Sequence, residues 1–150
     1  MKIEEEIKQK SFQDEYHKLS VNLQFTANWL SALHSKHLRS FNISPQQFNV
    51  LRILKGQYPN PSTLILIRER MLDKESNASR LIDKLVISEL VTRIQCPDDR
   101  RQVEITISEK GIELLEQLNQ KVNEMKSALT GLNVDEATIL NNLLDKLRGN

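Results

Sequence analysis

Ser76-Asn77-Ala78-Ser79-Arg80-Leu81-Ile82-Asp83-Lys84-Leu85-Val86 runs through Ile87-Ser88-Glu89-Leu90-Val91 into Thr92-Arg93-Ile94-Gln95-Cys96. Pro97-Asp98-Asp99-Arg100-Arg101 follows, and then Val103-Glu104-Ile105-Thr106-Ile107. Along this stretch the apolar spacing changes from helical to strictly alternating. On a helical wheel at about 100° per residue, Leu81, Ile82, Leu85 and Val86 gather with Ala78 on one face. Ser76, Arg80, Asp83 and Lys84 fall opposite, flanked by Asn77 and Ser79. Further on, Thr92, Ile94 and Cys96 alternate with Arg93 and Gln95, while Val103, Ile105 and Ile107 alternate with Gln102, Glu104 and Thr106. A helix over about 76–88 is therefore expected to lead into a two-stranded hairpin with its tip at 97–101.

Moving towards the N-terminus, Ser62 or Thr63 can cap a short helix through Leu72, followed by a turn at Asp73-Lys74-Glu75. Gly56-Gln57-Tyr58-Pro59-Asn60-Pro61 is a breaker. Before it, Ser44-Pro45-Gln46-Gln47 combines a cap, a proline suited to the first helical position and a capping-box glutamine, predicting a helix to about Lys55. Phe12, Tyr16, Leu19, Leu23, Leu30 and Leu33 step by three and four or their sum, with Thr26 and His37 on the same stripe. One long helix over about 8–41 is the expectation. Beyond the hairpin, Ser108 caps a helix striped by Leu115, Leu118, Val122, Met125 and Leu129. Gly131-Leu132-Asn133 interrupts it, and Val134–Leu147 forms a last helix with Leu140, Leu143, Leu144 and Leu147 turned inward.

A short helix, a tight turn, a second helix and an immediate β-ribbon make a winged helix-turn-helix. The fold class is mainly α with a β wing, that is α+β. One domain is expected over 1–150, with the winged helix-turn-helix at 43–111. Residues 1–42 and 112–150 supply long terminal helices of the kind that build dimers, and a dimer suits a two-fold DNA site.

The composition excludes several classes. The chain has 150 residues, 27% charged and 39% hydrophobic, as expected of an ordinary globular protein. Its longest apolar run, Leu64 to Ile67, is far short of a membrane span. The charged N-terminus carries no visible secretory signal, so a cytoplasmic protein without membrane association is expected. The single Cys96 excludes an internal disulfide framework and a cysteine-rich zinc site. The four glycines are too dispersed for a phosphate-cradling loop. No nucleophile–base–acid set is recognisable, so neither an enzyme nor a cofactor is expected.

The net charge of +1 hides a polarity. Residues 21–74 carry seven Lys/Arg against two Asp/Glu, whereas residues 102–150 carry five against eight. A basic centre is compatible with a phosphate-facing surface and equally with a mixed-charge exterior. The polar face of the 76–88 helix has the same two readings. Arginine can pair with guanine, asparagine with adenine, and serine with bases or phosphates, but a solvated helix face looks similar. Asp83 would be repelled by phosphate, which suggests an internal pair with a nearby arginine such as Arg101. At the hairpin tip, Arg100 and Arg101 could enter a narrow minor groove, or simply neutralise the two preceding aspartates.

Taken together, the 77–86 run, Leu90-Val91-Thr92-Arg93, Asp98-Asp99-Arg100-Arg101, the strand from Val103 to Ile107 and Gly111 resemble the MarR family of bacterial transcriptional regulators. Ile43-Ser44-Pro45-Gln46-Gln47-Phe48-Asn49-Val50-Leu51 resembles the opening of that family's second helix. The resemblance covers about 43–111. It implies a homodimeric, sequence-specific DNA-binding regulator, in most members a repressor, bound to a pseudo-palindromic operator and relieved by a small-molecule or stress signal. By position, it places Ser76, Asn77, Ser79, Arg80 and Lys84 in the major groove and Arg100 at the wing tip. Arg101 is placed either on DNA or in the structural pair with Asp83. Glu89 departs from the pattern, standing where the family usually has glycine, so the turn there needs no glycine or accepts strain.

Trp29, Leu33, His34 and Phe41 could line an effector cavity between the first long helix and the reader region, or serve as core. His34 and His37 are spaced to share a metal, although no metal site is expected. Cys96 could act as a thiol sensor, against an inert thiol. A thiol- or metal-sensing regulator, and a winged-helix protein-interaction module without DNA binding, are the competing readings.

Overall fold

The computed structural model describes residues 2–95 and 103–149, with the side chains of 120–128 left aside. Among these residues, seven helices and one hairpin follow in order: α1 Ile3–Glu6, α2 Glu15–Leu38, α3 Pro45–Gln57, α4 Leu64–Arg70, α5 Ala78–Ile87, β1 Val91–Gln95, β2 Val103–Ile107, α6 Glu109–Ala128 and α7 Val134–Leu147. A single 3-10 turn, Arg39–Phe41, extends α2.

Several helix starts are set by local side-chain chemistry. The Ser44 hydroxyl accepts from Gln47 N–H at 3.1 Å while Gln47 Oε1 accepts from Ser44 N–H at 2.8 Å, closing the expected capping box. Thr63, not Ser62, caps α4, accepting from Leu66 N–H. Ser62 is instead a third, one-residue strand: its N–H and C=O exchange bonds of 2.8 and 2.9 Å with Ile105. Asn77 caps α5, and Asn133 with Glu136 forms a second capping box at the head of α7.

The core lies where α3, α4, α5 and the hairpin converge. Val50, Leu51 and Leu54 of α3 meet Ile67 and Met71, then Ala78, Ile82 and Leu85 of α5, with Val91, Ile105 and Ile107 beneath. Burying each Leu or Ile of this set stabilises the fold by about 1.5–3 kcal/mol before entropy is counted. This packing turns one face of α5 inward and leaves the other to solvent.

Three expectations are corrected. First, the long helix starts at Glu15, not near residue 8. Asp14 accepts from His17 N–H at 2.8 Å and caps α2, and Lys8 adopts φ +54°, outside any helix. The preceding segment forms α1, where Ile3 is buried and Glu4 pairs with Lys18 at 2.6 Å.

Second, the apolar parity of β1 is reversed. Val91 pairs with Ile107, Arg93 with Ile105 and Gln95 with Val103, so these residues share the inner face. Ile94 lies on the other face and is 63% exposed. The entry of Val91 into the core decides the parity, because a one-residue shift would turn Val91 outward.

Third, α7 has no buried residue within the chain. Leu140, Leu143 and Leu147 are exposed, as are Val134 and Ile139. On α6, Leu115 and Leu118 are buried as expected, but Leu129, just beyond its end, is exposed. Val122 and Met125, expected on the α6 stripe, lie outside the described side chains. The stripe on α7 exists; a single chain does not supply what would cover it. No described helix is long and apolar enough to cross a membrane.

Candidate nucleic-acid interface

The outward face of α5 presents Ser79, Arg80, Asp83 and Lys84, all exposed. Its first turn is built before the helix begins. The Asp73 carboxylate accepts from the Ser76 hydroxyl at 2.8 Å and from Glu75 N–H at 3.1 Å. These bonds, the hydroxyl's first and the Glu75 amide's next, hold the Asp73 carboxyl below its ordinary range. Asn77 Oδ1 accepts from Arg80 N–H at 3.1 Å. The two polar residues at the head of α5 therefore have structural duties. A bidentate Asn77–adenine pair needs both the oxygen and the nitrogen of the side-chain amide. Asn77 would give up its cap to make one, whereas Ser79, Arg80 and Lys84 carry no such cost.

Asp83 does have an arginine partner. Arg93 Nη1 lies 2.5 Å from Asp83 Oδ1, tying β1 to α5. The inner-face position of Arg93 makes this possible, and an even/odd reading anchored on Val91 would have found it. The expected partner Arg101 lies outside the described residues, as do Arg100 and Cys96. Both members of the observed pair are about half exposed, so its contribution to stability is small, about 0.2–1 kcal/mol. Its consequence is positional: the carboxylate of the outward face is neutralised by the ribbon that lies against it.

At its other end α5 is joined to α6. Glu89 takes φ +61°, the left-handed conformation that glycine would adopt freely. The Ser108 hydroxyl donates to the Glu89 carbonyl at 2.7 Å and accepts from Gly111 N–H at 3.0 Å. Lys110 Nζ reaches Glu89 Oε2 at 3.0 Å. Gly111 is required by contact: a Cβ there would sit 2.3 Å from the Leu90 carbonyl oxygen.

Of the four effector-cavity residues, Phe41 lines a cavity of about 320 Å³ with Ile43, Leu90, Lys110 and Leu114. Trp29 is 44% exposed on α2, and Leu33 and His34 are half-buried. Burial lowers the His34 pKa, with the charge of His37 adding to it. The His37 ring meets the Leu33 carbonyl at 2.7 Å, and among the described residues no group of three metal-ligating side chains forms.

The MarR family model matches residues 43–103, the span that holds α3, α4, α5 and β1 and ends at the first residue of β2. The HTH-type transcriptional regulator MhqR of Bacillus subtilis is 33% identical over 110 residues, covering 69% of this chain and 73% of the relative. The chain belongs to the MarR family. It is accordingly a transcriptional regulator, not an enzyme, and its mainly helical fold with a small wing is that of MarR proteins. A cysteine-to-serine mutant of Escherichia coli MarR, complexed with operator DNA, superposes with a TM-score of 0.79 at 24% identity, covering 92% of this chain and 99% of that one. BpsR of Bordetella bronchiseptica, whose DNA binding is regulated by 6-hydroxynicotinic acid, gives 0.77 at 22% identity, with 87% and 98% covered. Both share the MarR architecture with this chain.

Proposed function

We propose that this MarR protein is a cytoplasmic homodimeric repressor that occludes a pseudo-palindromic operator. In this reading Ser79, Arg80 and Lys84 read or grip the major groove, assisted by Ser76 and Asn77. Arg100 and Arg101 belong to a wing that reaches the minor groove. A small-molecule effector relieves repression by changing the separation of the two α5 helices, which must match one DNA turn of about 34 Å.

The observation that carries the reading is the division of the surface. The exposed face of α5 bears Ser79, Arg80, Asp83 and Lys84, with the exposed apolar Ile87 only in its last turn, whereas the exposed faces of α2 and α7 bear Trp29, Tyr16, Leu143 and Leu147. A polar reading face suits DNA, and uncovered apolar stripes on terminal helices suit a second copy of the chain.

Selection of bound duplexes from a random pool, with and without candidate aromatic acids, tests it. A two-fold-symmetric motif, lost when a ligand is present, is the expected result. Leu143→Asp should convert the protein to a monomer by analytical ultracentrifugation and abolish binding to that motif. A protein that is monomeric at micromolar concentration, or that binds no duplex at low salt, would overturn the reading.

A further inference from the structure

A cavity of about 570 Å³ opens between the end of α2, the start of α3 and the last turn of α5. Its rim includes Ser35 and Arg39 from α2 and its 3-10 extension, Asn42 and Gln47 at the approach to α3, and Lys84 and Ser88 from α5. Among the described residues lining it, none is acidic. Arg39 and Lys84 are both exposed, so their charges face solvent across the same opening. Lys84 follows Arg80 by one helical turn on the outward face of α5, which makes this cavity a continuation of the proposed reading surface.

We infer that Arg39 extends the DNA interface beyond the winged helix, gripping a backbone phosphate together with Lys84. The inference rests on the regulator reading and adds to it a residue on the long helix, outside the winged helix-turn-helix. Two cations flanking a cleft with no carboxylate suit a phosphodiester, and the hydroxyls and amides on the rim can donate to its oxygens. The Ile43 and Ile87 side chains in the same cleft offer nothing to a base edge, so the contact carries position and no sequence information. The cation sits where the terminal helix meets the reader, so a shift of α2 in the dimer would carry this phosphate contact with it.

The test is a salt titration of the full-length protein on a selected duplex and on a random one. Arg39→Gln, carried by both protomers of the dimer, should weaken both by the same factor and reduce the log–log salt slope by about 1.8, about 0.9 for each lost contact. Over a fourfold rise in salt, the variant then loses about 12-fold less affinity than wild type. Arg39→Lys should retain the slope, and thermal melting should be unchanged for both variants because the side chain is exposed. Replacing single phosphates by methylphosphonates should reveal one position in each half-site that weakens wild type more than Arg39→Gln, in which only Lys84 is left to hold that phosphate. An unchanged slope in Arg39→Gln, or a loss confined to the selected duplex, would overturn the inference while leaving the regulator reading intact. Failure of wild type to bind any duplex would overturn that reading, and this inference with it.

Discussion

The Ser108 hydroxyl donates to the Glu89 carbonyl at 2.7 Å, so the first residue before α6 holds the turn that ends α5. The clasp joins the reading helix to a helix that runs on into the C-terminal part of the chain. The turn itself is closed by bonds of 2.9 Å from Glu89 N–H to the Val86 carbonyl and from Leu90 N–H to the Leu85 carbonyl, which hold Glu89 at φ +61°, a conformation that L-residues avoid.

Glu89→Gly should therefore stabilise the protein. Relief of left-handed strain is worth about 1–2 kcal/mol, offset by the extra unfolded-state freedom of glycine, about 0.5–1 kcal/mol. The exposed pair with Lys110 is worth little. Denaturant unfolding should show a net gain of up to about 1 kcal/mol; a loss would mean that the Lys110 contact outweighs the strain.

Gly111→Ala should do the reverse. The new methyl would meet the Leu90 carbonyl oxygen at 2.3 Å and an Ile107 side-chain carbon at 2.8 Å. Backbone has to move, and overpacking of this kind costs about 1–3 kcal/mol. A melting temperature equal to wild type would show that the clasp yields without penalty.

Arg80→Ala is expected to cost about 1–3 kcal/mol on the preferred duplex and to relax base preference at one position. Its backbone N–H already holds the Asn77 cap, and alanine keeps that bond, so folding should be unaffected. Equal losses on preferred and random DNA would reassign Arg80 to phosphate.

His34 gives the protein a pH dependence of definite sign. Burial first, then His37, places its folded pKa below the ordinary value near 6.5. Between those two values the unfolded chain binds more protons, so stability falls as the pH drops below about 6.5 and is flat above it. Urea unfolding from about pH 8 to about 5 should show a smaller decline in His34→Gln than in wild type. Identical profiles would remove His34 as the cause.

The helix starts at Pro45, Leu64 and Val134 match expectation and α5 starts two residues later than expected, at Ala78; in each a cap acts within one turn of its own helix. Ser44 and Gln47, Thr63, Asn77, and Asn133 and Glu136 carry their partners with them. At Asp14 the same local logic is hidden, because an unbroken apolar stripe disguises the cap. On α5 the periodicity also separates the buried Ala78, Ile82 and Leu85 from the exposed Ser79, Arg80 and Lys84.

Beyond residue 14, sequence alone thus determined which described segments become helix or ribbon and which face of α5 carries Arg80 and Lys84, since both follow from contacts a few residues long. The tertiary structure decided that Arg93 neutralises Asp83, that Arg39 shares a cleft with Lys84, and that the stripe on α7 stays uncovered. Each of these depends on where distant segments, or a second chain, come to rest. Strand parity shows the reason most simply: alternation is the same in either register, and only the packing of Val91 against the core selects one.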